Sequence, residues 1–445
     1  MKDGQSDPKP TTIAPRAKTV GEIPDQWSWV EPHVWTERML AALEQGVKGG
    51  KWYSLMDKVY ATLNIRAAFE AVHANKGSAG VDHQTIGMFK RHLDENLASL
   101  QASLKADTYR PNAIKRVWIP KPGSSEKRPL GIPTVRDRVV QAALRNVLEP
   151  IFERDFAAQS YGFRPGRGCK DALRRVDALL HAGYHFVVDA DLKSYFDTIP
   201  HDQLMRLIEQ KIADSRVLGL LTAYLKQQVM DTAKDWTPEQ GTPQGAVISP
   251  LLSNIYLDPL DHLMAAAGIE MVRYADDFVL LCRNEDEAHH ALGMVQNWTT
   301  SVRLVLHPDK THIVDASQRG GFDFLGYHFE RGYRWPRQKS LKKLKDKIRG
   351  LTKRTNGLSL ATIISDVDRT LVGWFGYFKH SYKTTFGSVD GWVRMRLRSI
   401  LRKRHGARGR GRGSDHQRWS NAFFADHGLF SLSAAHASAC QSARR

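Results

Sequence analysis

Two short stretches place carboxylates directly after strand-like apolar runs. In the first, Phe186-Val187-Val188 leads into Asp189-Ala190-Asp191, then Leu192-Lys193-Ser194-Tyr195-Phe196-Asp197, where a helix is expected to start. In the second, Met271-Val272-Arg273-Tyr274 and Phe278-Val279-Leu280-Leu281 flank Ala275-Asp276-Asp277. Two apolar strands around so short a polar segment predict a β-hairpin with both aspartates at its tip. Carboxylates on rigid strands suit chemistry that uses two divalent cations about 3.5–4 Å apart. One cation lowers the pKa of an attacking hydroxyl; the other neutralises phosphate charge. Mg²⁺ takes hard oxygen ligands and keeps several waters, so a few carboxylates suffice. An Asp-Asp pair in a turn is more often simply solvated. The weight here comes from finding both stretches in one chain, with aromatic residues beside them.

The elements that must hold these acids can be read around them. From about residue 115 to 330, apolar strand-like runs alternate with helical stretches, which indicates an α+β body. Residues 27–110 read mostly helical, and 1–26 read as a disordered tail. The chain has 445 residues, 65 Lys+Arg against 47 Asp+Glu, and a net charge of +18. Between Arg331 and Arg412 there are 23 lysines and arginines against four acids, so this region carries essentially all the excess. Leu341, Leu344, Ile348 and Leu351 recur there at helical spacing, with Lys342, Lys343, Lys345, Lys347 and Arg349 between them. A second apolar stretch runs from Leu360 to Phe378, and a third basic helix is expected around Trp392 to Arg404. A solvated face is the ordinary reading of a charge run. Eighty residues of it favour a surface for phosphates. The Gly/Arg segment from His405 to Gly413 reads as a flexible cationic linker, followed by a small helical appendage.

Composition removes several classes. Hydrophobic residues make up 42%, enough for a real core. Three separated cysteines (Cys169, Cys282, Cys440) exclude a disulfide scaffold and a cysteine zinc site. The N-terminus lacks a signal-peptide core, and no apolar run nears the roughly 20 residues of a membrane helix. A soluble protein of the cytosol with polyanionic partners and no membrane contact is expected.

Taken together, these residues resemble a known family. Tyr274-Ala275-Asp276-Asp277 looks like the catalytic hairpin of reverse transcriptases, and Asp191 to Asp197 like their first catalytic motif. More closely, the chain resembles bacterial group II intron-encoded reverse transcriptase/maturases. The supporting segments, in the family's order, are Ile119-Pro120-Lys121-Pro122, Lys127 to Pro133, Tyr161 to Gly168, and Gln240 to Gly245 with Ser249-Pro250. Leu306 to Thr311 and Gly321 to Tyr327 follow, and the match spans roughly residues 60 to 405. The tail to Arg445 holds only Cys440 and scattered histidines, so the resemblance is to the short form without the HNH endonuclease.

The resemblance implies a right-hand polymerase: fingers and a palm with a ferredoxin-like antiparallel sheet, then an all-α thumb. The bounds expected are 27–110 for the N-terminal extension and start of the fingers, 111–333 for fingers and palm, 334–405 for the thumb (maturase domain X), and 406–445 for the tail. Asp191, Asp276 and Asp277 would hold two Mg²⁺ ions, for which Mn²⁺ can substitute, with the main-chain carbonyl of Leu192 as a further ligand. Asp189 is the rival for the first position, but Asp191 stands the required five residues before Phe196. Phe196 would be the steric gate against a 2′-hydroxyl. Lys121 and Arg128 would grip the triphosphate, and Gln244 and Gly245 would lie against the nucleotide. Lys310 would protonate the leaving pyrophosphate, and Phe324-Leu325-Gly326-Tyr327 would support the primer end.

The expected partners are group II intron RNA, an RNA template with a DNA primer, and deoxynucleoside triphosphates; the oligomeric state stays open. The expected function is RNA-directed DNA synthesis for a mobile intron, with assistance to its splicing and retromobility. Two alternatives remain: a splicing-only RNA-binding maturase, which the intact acids disfavour, and a reverse transcriptase with a host role such as phage defence or diversity generation. A viral-type replicase is disfavoured by Ala275, where such enzymes usually carry Gly.

Overall fold

A computed structural model describes residues 25–120, 127–231 and 235–442. The expected disordered tail therefore lies outside the described residues, apart from its last two. The chain adopts the expected α+β right-hand architecture. In chain order the strands are β1 (Ile114–Pro120), β2 (Lys127–Ile132), β3 (Phe186–Asp191), β4 (Val229–Met230), β5 (Asp235–Trp236), β6 (Glu270–Tyr274) and β7 (Asp277–Cys282). They continue with β8 (His312–Asp315), β9 (Phe322–Phe324), β10 (Tyr327–Glu330) and β11 (Tyr333–Pro336).

The palm sheet has the order β6-β7-β3-β8, and every neighbouring pair is antiparallel. Its two central strands, β3 and β7, carry apolar runs (Phe186–Val188 and Phe278–Cys282) because both faces are covered. Val188, Ala190, Met271, Phe278 and Leu280 turn to one face, in a core shared with the Ser249–Ala266 and Glu285–Ser301 helices. Val187, Val272, Val279 and Leu281 turn to the other, against the Cys169–His181 helix and the β9–β10 aromatics Phe322, Phe324 and Phe329. Each large side chain so buried contributes about 1.5–3 kcal/mol. This two-sided burial fixes the register, since a one-residue slip would exchange the faces.

The fingers sheet has the order β2-β1-β4-β5. β2 leads into the Val135–Glu153 helix, which Thr134 caps by accepting from the Asp137 N–H at 3.2 Å. The Ser78 to Asp82 segment docks at the start of this helix. Arg138 donates to the Ser78 carbonyl at 2.7 Å, and Gly80 lies against the Thr134 backbone with no room for a Cβ.

Three helices form the thumb: Gln338–Leu351, Leu360–Phe378 and Thr384–Arg404. Leu344, Ile348, Ile363, Val367, Leu371, Val393 and Leu397 build their common core. The tail joins that core through Trp419, Phe424 and Leu432. The Gly/Arg segment read as a free linker is tied back to the third helix. Arg402 Nε donates to the Arg408 carbonyl at 2.9 Å, and Arg398 Nε to that of Trp419 at 2.8 Å.

Candidate active site

β6 and β7 form a hairpin in which Tyr274 pairs with Asp277. The turn is therefore Ala275-Asp276 alone. The sequence reading put both aspartates at the tip; only Asp276 is there, and Asp277 is the first residue of β7. Ala275 has φ +60°, at the position of a two-residue turn that favours glycine.

On its other side β7 pairs with β3, and Asp277 stands directly opposite Asp191. Opposed residues of an antiparallel pair project to the same face, so these carboxylates are neighbours. Asp191 to Asp277 are thus brought together from strands 86 positions apart in sequence numbering. Beyond β3, Leu192 bridges Leu306; His307 N–H donates to the Asp191 carbonyl at 2.7 Å and Lys193 N–H to that of Val305 at 2.8 Å. In that pattern the N–H and C=O of Leu192 itself point the other way, toward the side on which β7 lies.

Burial pushes the Asp276 carboxyl up, and the Asp191 charge adds to this; its own backbone N–H, Arg128 and Arg273 oppose it. Burial, with the charges of Asp189, Asp276 and Asp191, pushes Asp277 up to about 7, against the pull of Arg337. Mutually repelling, half-buried carboxylates are a donor set that a hard dication would relieve. As they stand, no three acidic, histidine or cysteine side chains among the described residues enclose an ion. The Asp191 carboxylate is instead paired with the Lys310 ammonium. Asp189, the rival, lies two residues back on the same face. It is paired across the sheet with His312 and lines a separate cleft of about 760 Å³ with Asp323 and His328. Burial raises its carboxyl to about 6.

These shifts predict a stability gain at the cost of the site. An acid whose pKa is raised on folding destabilises the fold above its unfolded value. For Asp277 that cost begins above the ordinary aspartate range, about 4, and is complete above about 7. Asp277→Asn is expected to be more stable than the parent by about 1–2 kcal/mol at about pH 8 without divalent ions, with the gap closing toward about pH 4. Urea denaturation across that pH range measures it.

Phe196 sits on a one-turn helix, Tyr195–Thr198, entered through Ser194 at φ +51°. Its ring is half-buried, edge-on to Tyr195 at 5.5 Å. The Gln240–Gly245 loop closes on this helix. Thr242 N–H donates to the Phe196 carbonyl at 2.7 Å and Gly241 N–H to that of Ile199 at 2.8 Å. Gly241, at φ +89°, lies so close that a Cβ would meet the Asp197 backbone at 2.8 Å. Phe196 and Gln244 line one cavity of about 200 Å³ with Arg116, Trp236 and Thr242. Gly245 has a structural reason that the sequence did not suggest. A Cβ there would meet the Gly131 carbonyl at 2.7 Å, so the close approach is to β2. Arg128 is on β2, exposed, and near enough to act on Asp276. Lys121 lies outside the described residues.

Phe324 and Tyr327 pair across a two-residue turn in which Leu325 and Gly326 have φ of +46° and +85°. The thumb clamps this turn. Tyr377 Oη donates to the Leu325 carbonyl at 2.7 Å, and Arg337 N–H to that of Gly326 at 2.9 Å. Two residues near the acids were missed in the sequence: Arg337, which acts on Asp277, and Arg273, which acts on Asp276. Arg337 was hidden among 23 basic residues of its region. Arg273 carried a signal, a charged residue directly after the apolar pair Met271-Val272.

Two family models match the chain. One, described as reverse transcriptase (RNA-dependent DNA polymerase), matches residues 119–329; the other, group II intron, maturase-specific domain, matches residues 341–419. Protein YkfC of Escherichia coli K12 is 32% identical over 347 residues, covering 68% of this chain and 86% of that protein. Group II intron-encoded protein LtrA of Lactococcus lactis subsp. cremoris is 38% identical over 199 residues, covering 44% of this chain and 33% of that protein. A 91 kDa protein in the cob intron of Schizosaccharomyces pombe is 41% identical over 162 residues, covering 36% and 20%. The chain thus spans most of the first relative and a third or less of the other two.

Proposed function

We propose that this chain, which belongs to the family of group II intron-encoded reverse transcriptases with a maturase domain, performs RNA-directed DNA synthesis through Asp191, Asp276 and Asp277 as ligands of two Mg²⁺ ions. The observation that carries the reading is the direct cross-strand pairing of Asp191 with Asp277, next to Asp276. Hard oxygen donors favour Mg²⁺, with Mn²⁺ able to take its place, and the Leu192 carbonyl is on the side to join them. Bound there, the ions would activate the primer hydroxyl and neutralise the triphosphate.

The other residues bind and orient. Arg128, with Lys121, holds the triphosphate of a deoxynucleotide; a planar guanidinium can take two phosphate oxygens at once. Gln244 lies against the nucleotide. Lys310, beside Asp191, can donate a proton to the departing pyrophosphate. The clamped Phe324–Tyr327 turn supports the primer end. Phe196 excludes a 2′-hydroxyl by collision. Phe196→Ala is expected to raise ribonucleotide incorporation about 10–100-fold relative to deoxynucleotides, read from single-turnover extension with each substrate.

Between that turn and the thumb, a groove of about 570 Å³ is lined by Leu325, Gly326, Trp374, Lys343, Lys347 and Arg369. Its cations suit the phosphates of an RNA template paired with a DNA primer. The exposed lysines of the thumb (residues 334–405) suit intron RNA, and with it assistance to splicing and retromobility in the bacterial cytosol. The match to a maturase-specific domain favours this role over phage defence or diversity generation. Extension of oligo(dT) on poly(rA) tests the polymerase reading; no product at ample Mg²⁺ would sink it.

A further inference from the structure

Below the catalytic turn lies a side chain that none of these roles uses. Arg273 is on β6 between Val272 and Tyr274, so it points to the opposite, helical face, and it is fully buried. A guanidinium has five N–H donors. Nε and Nη2 reach the two Asp261 carboxylate oxygens at 2.7 and 2.5 Å. Nη2 also donates to Ser160 Oγ at 2.8 Å. Nη1 donates to Asn254 Oδ1 at 3.0 Å and to the main-chain carbonyl of Ala275 at 2.9 Å. Every donor is used, and one of them grips the catalytic turn.

That carbonyl belongs to the peptide that bears Asp276. Ala275, at φ +60°, holds a conformation that costs an L-residue about 1–3 kcal/mol and persists only when the surroundings over-determine it. The surroundings do so here. Gly162 presses on Ala275 so closely that a Cβ would stand 2.3 Å from its nitrogen. Asn254 Nδ2 holds the Gly162 carbonyl at 2.8 Å, while its Oδ1 receives Arg273. Tyr161 N–H donates to the Arg273 carbonyl at 2.8 Å, and Arg273 N–H to that of Gln159 at 3.0 Å. The Gln159–Gly162 segment thus runs beside β6 as a splint.

We infer that Arg273, locked by Asp261 and Asn254, is a positioning residue: it fixes the Ala275 peptide and thereby aims the Asp276 carboxylate. This rests on Asp276 being a metal-holding residue. A merely structural ion pair would add stability without acting on the turn, and buried pairs are often replaceable by apolar residues. The paired change Arg273→Met with Asp261→Leu therefore offers a core that can fold without the clamp. Arg273→Lys keeps the charge but loses the fork.

Expected in folded variants is a kcat about 10–100-fold lower, with KM for nucleotide and primer–template within about twofold. Hydrogen exchange should show lost protection confined to residues 271–282. Folded variants with parental protection there and a kcat within about twofold would overturn the inference. Asn254→Ala, which leaves the ion pair intact, carries the same two outcomes if the Arg273 variants do not fold. Asp276→Ala run in parallel separates the two failures. If it still polymerises, the metal reading fails; if it is inactive while the Arg273 and Asn254 variants are unimpaired, this inference alone fails.

Discussion

Asp276→Ala is expected to lower primer extension by at least about 10³-fold while leaving RNA affinity within about twofold. The first half follows from charge. Removing one of three adjacent carboxylates takes away a proposed metal ligand that the hairpin turn holds in place, and no nearby acid can substitute without moving a strand. Asp189 is the nearest spare, but it is paired with His312 and turned into another cleft. The second half follows from separation. The exposed thumb cations Lys339, Lys342, Lys343 and Lys347 lie on a helix with its own core, apart from the hairpin. Stability should not fall either, since burial disfavours the Asp276 charge. Rapid-quench extension and filter binding to structured RNA, on the same preparation, measure both. Equal loss of binding in a folded variant would refute the separation.

Much of this candidate site was legible because its residues are local in sequence. Asp191 and Phe196 are carried by one strand-to-helix junction, and Asp276 and Asp277 by one hairpin, so motif and geometry coincide. What was not legible is what depends on register or on distant backbone. Whether Asp277 lay in the turn or in the strand depended on the loop having two residues, which the pattern alone does not say. Gly245 suggested a ligand because glycine marks close approach; only the fold shows that Gly131 is the neighbour. The clamp on Ala275 uses Ser160, Asn254 and Asp261, three polar residues with no motif in common. The thumb helices were readable from their 3.6-residue periodicity. The docking of the tail was not, since Trp419, Phe424 and Leu432 are apolar residues whose partners lie in other helices.

The charge excess of the thumb leads to the other large expected effect, and the structure sharpens it. Not all the cations there are free for phosphate. Arg398 is buried and bonded to Trp419 and Asn421, Arg396 to Thr352, and Arg402 is paired with Asp415. These hold the fold. Lys339, Lys342, Lys343, Lys347, Lys353 and Arg354 are exposed. If roughly five phosphates are neutralised by that set, log K should fall against log salt with a slope of about −4. RNA affinity would then drop about 10²–10³-fold between about 50 and 200 mM monovalent salt. Replacing Lys342, Lys343 and Lys347 with alanine together should shallow the slope by about 2–3 and weaken all RNA sequences alike. Thermal stability should hardly change, because exposed side chains rarely contribute more than about 0.5 kcal/mol. Arg398→Ala should do the reverse: lower stability by about 1–3 kcal/mol through the carbonyl left without a donor, with the salt slope unchanged. Titrations over a salt series on the parent and both variants decide it. A flat response in the parent, or a slope carried by Arg398, would show that the excess charge serves the fold and not a polyanion.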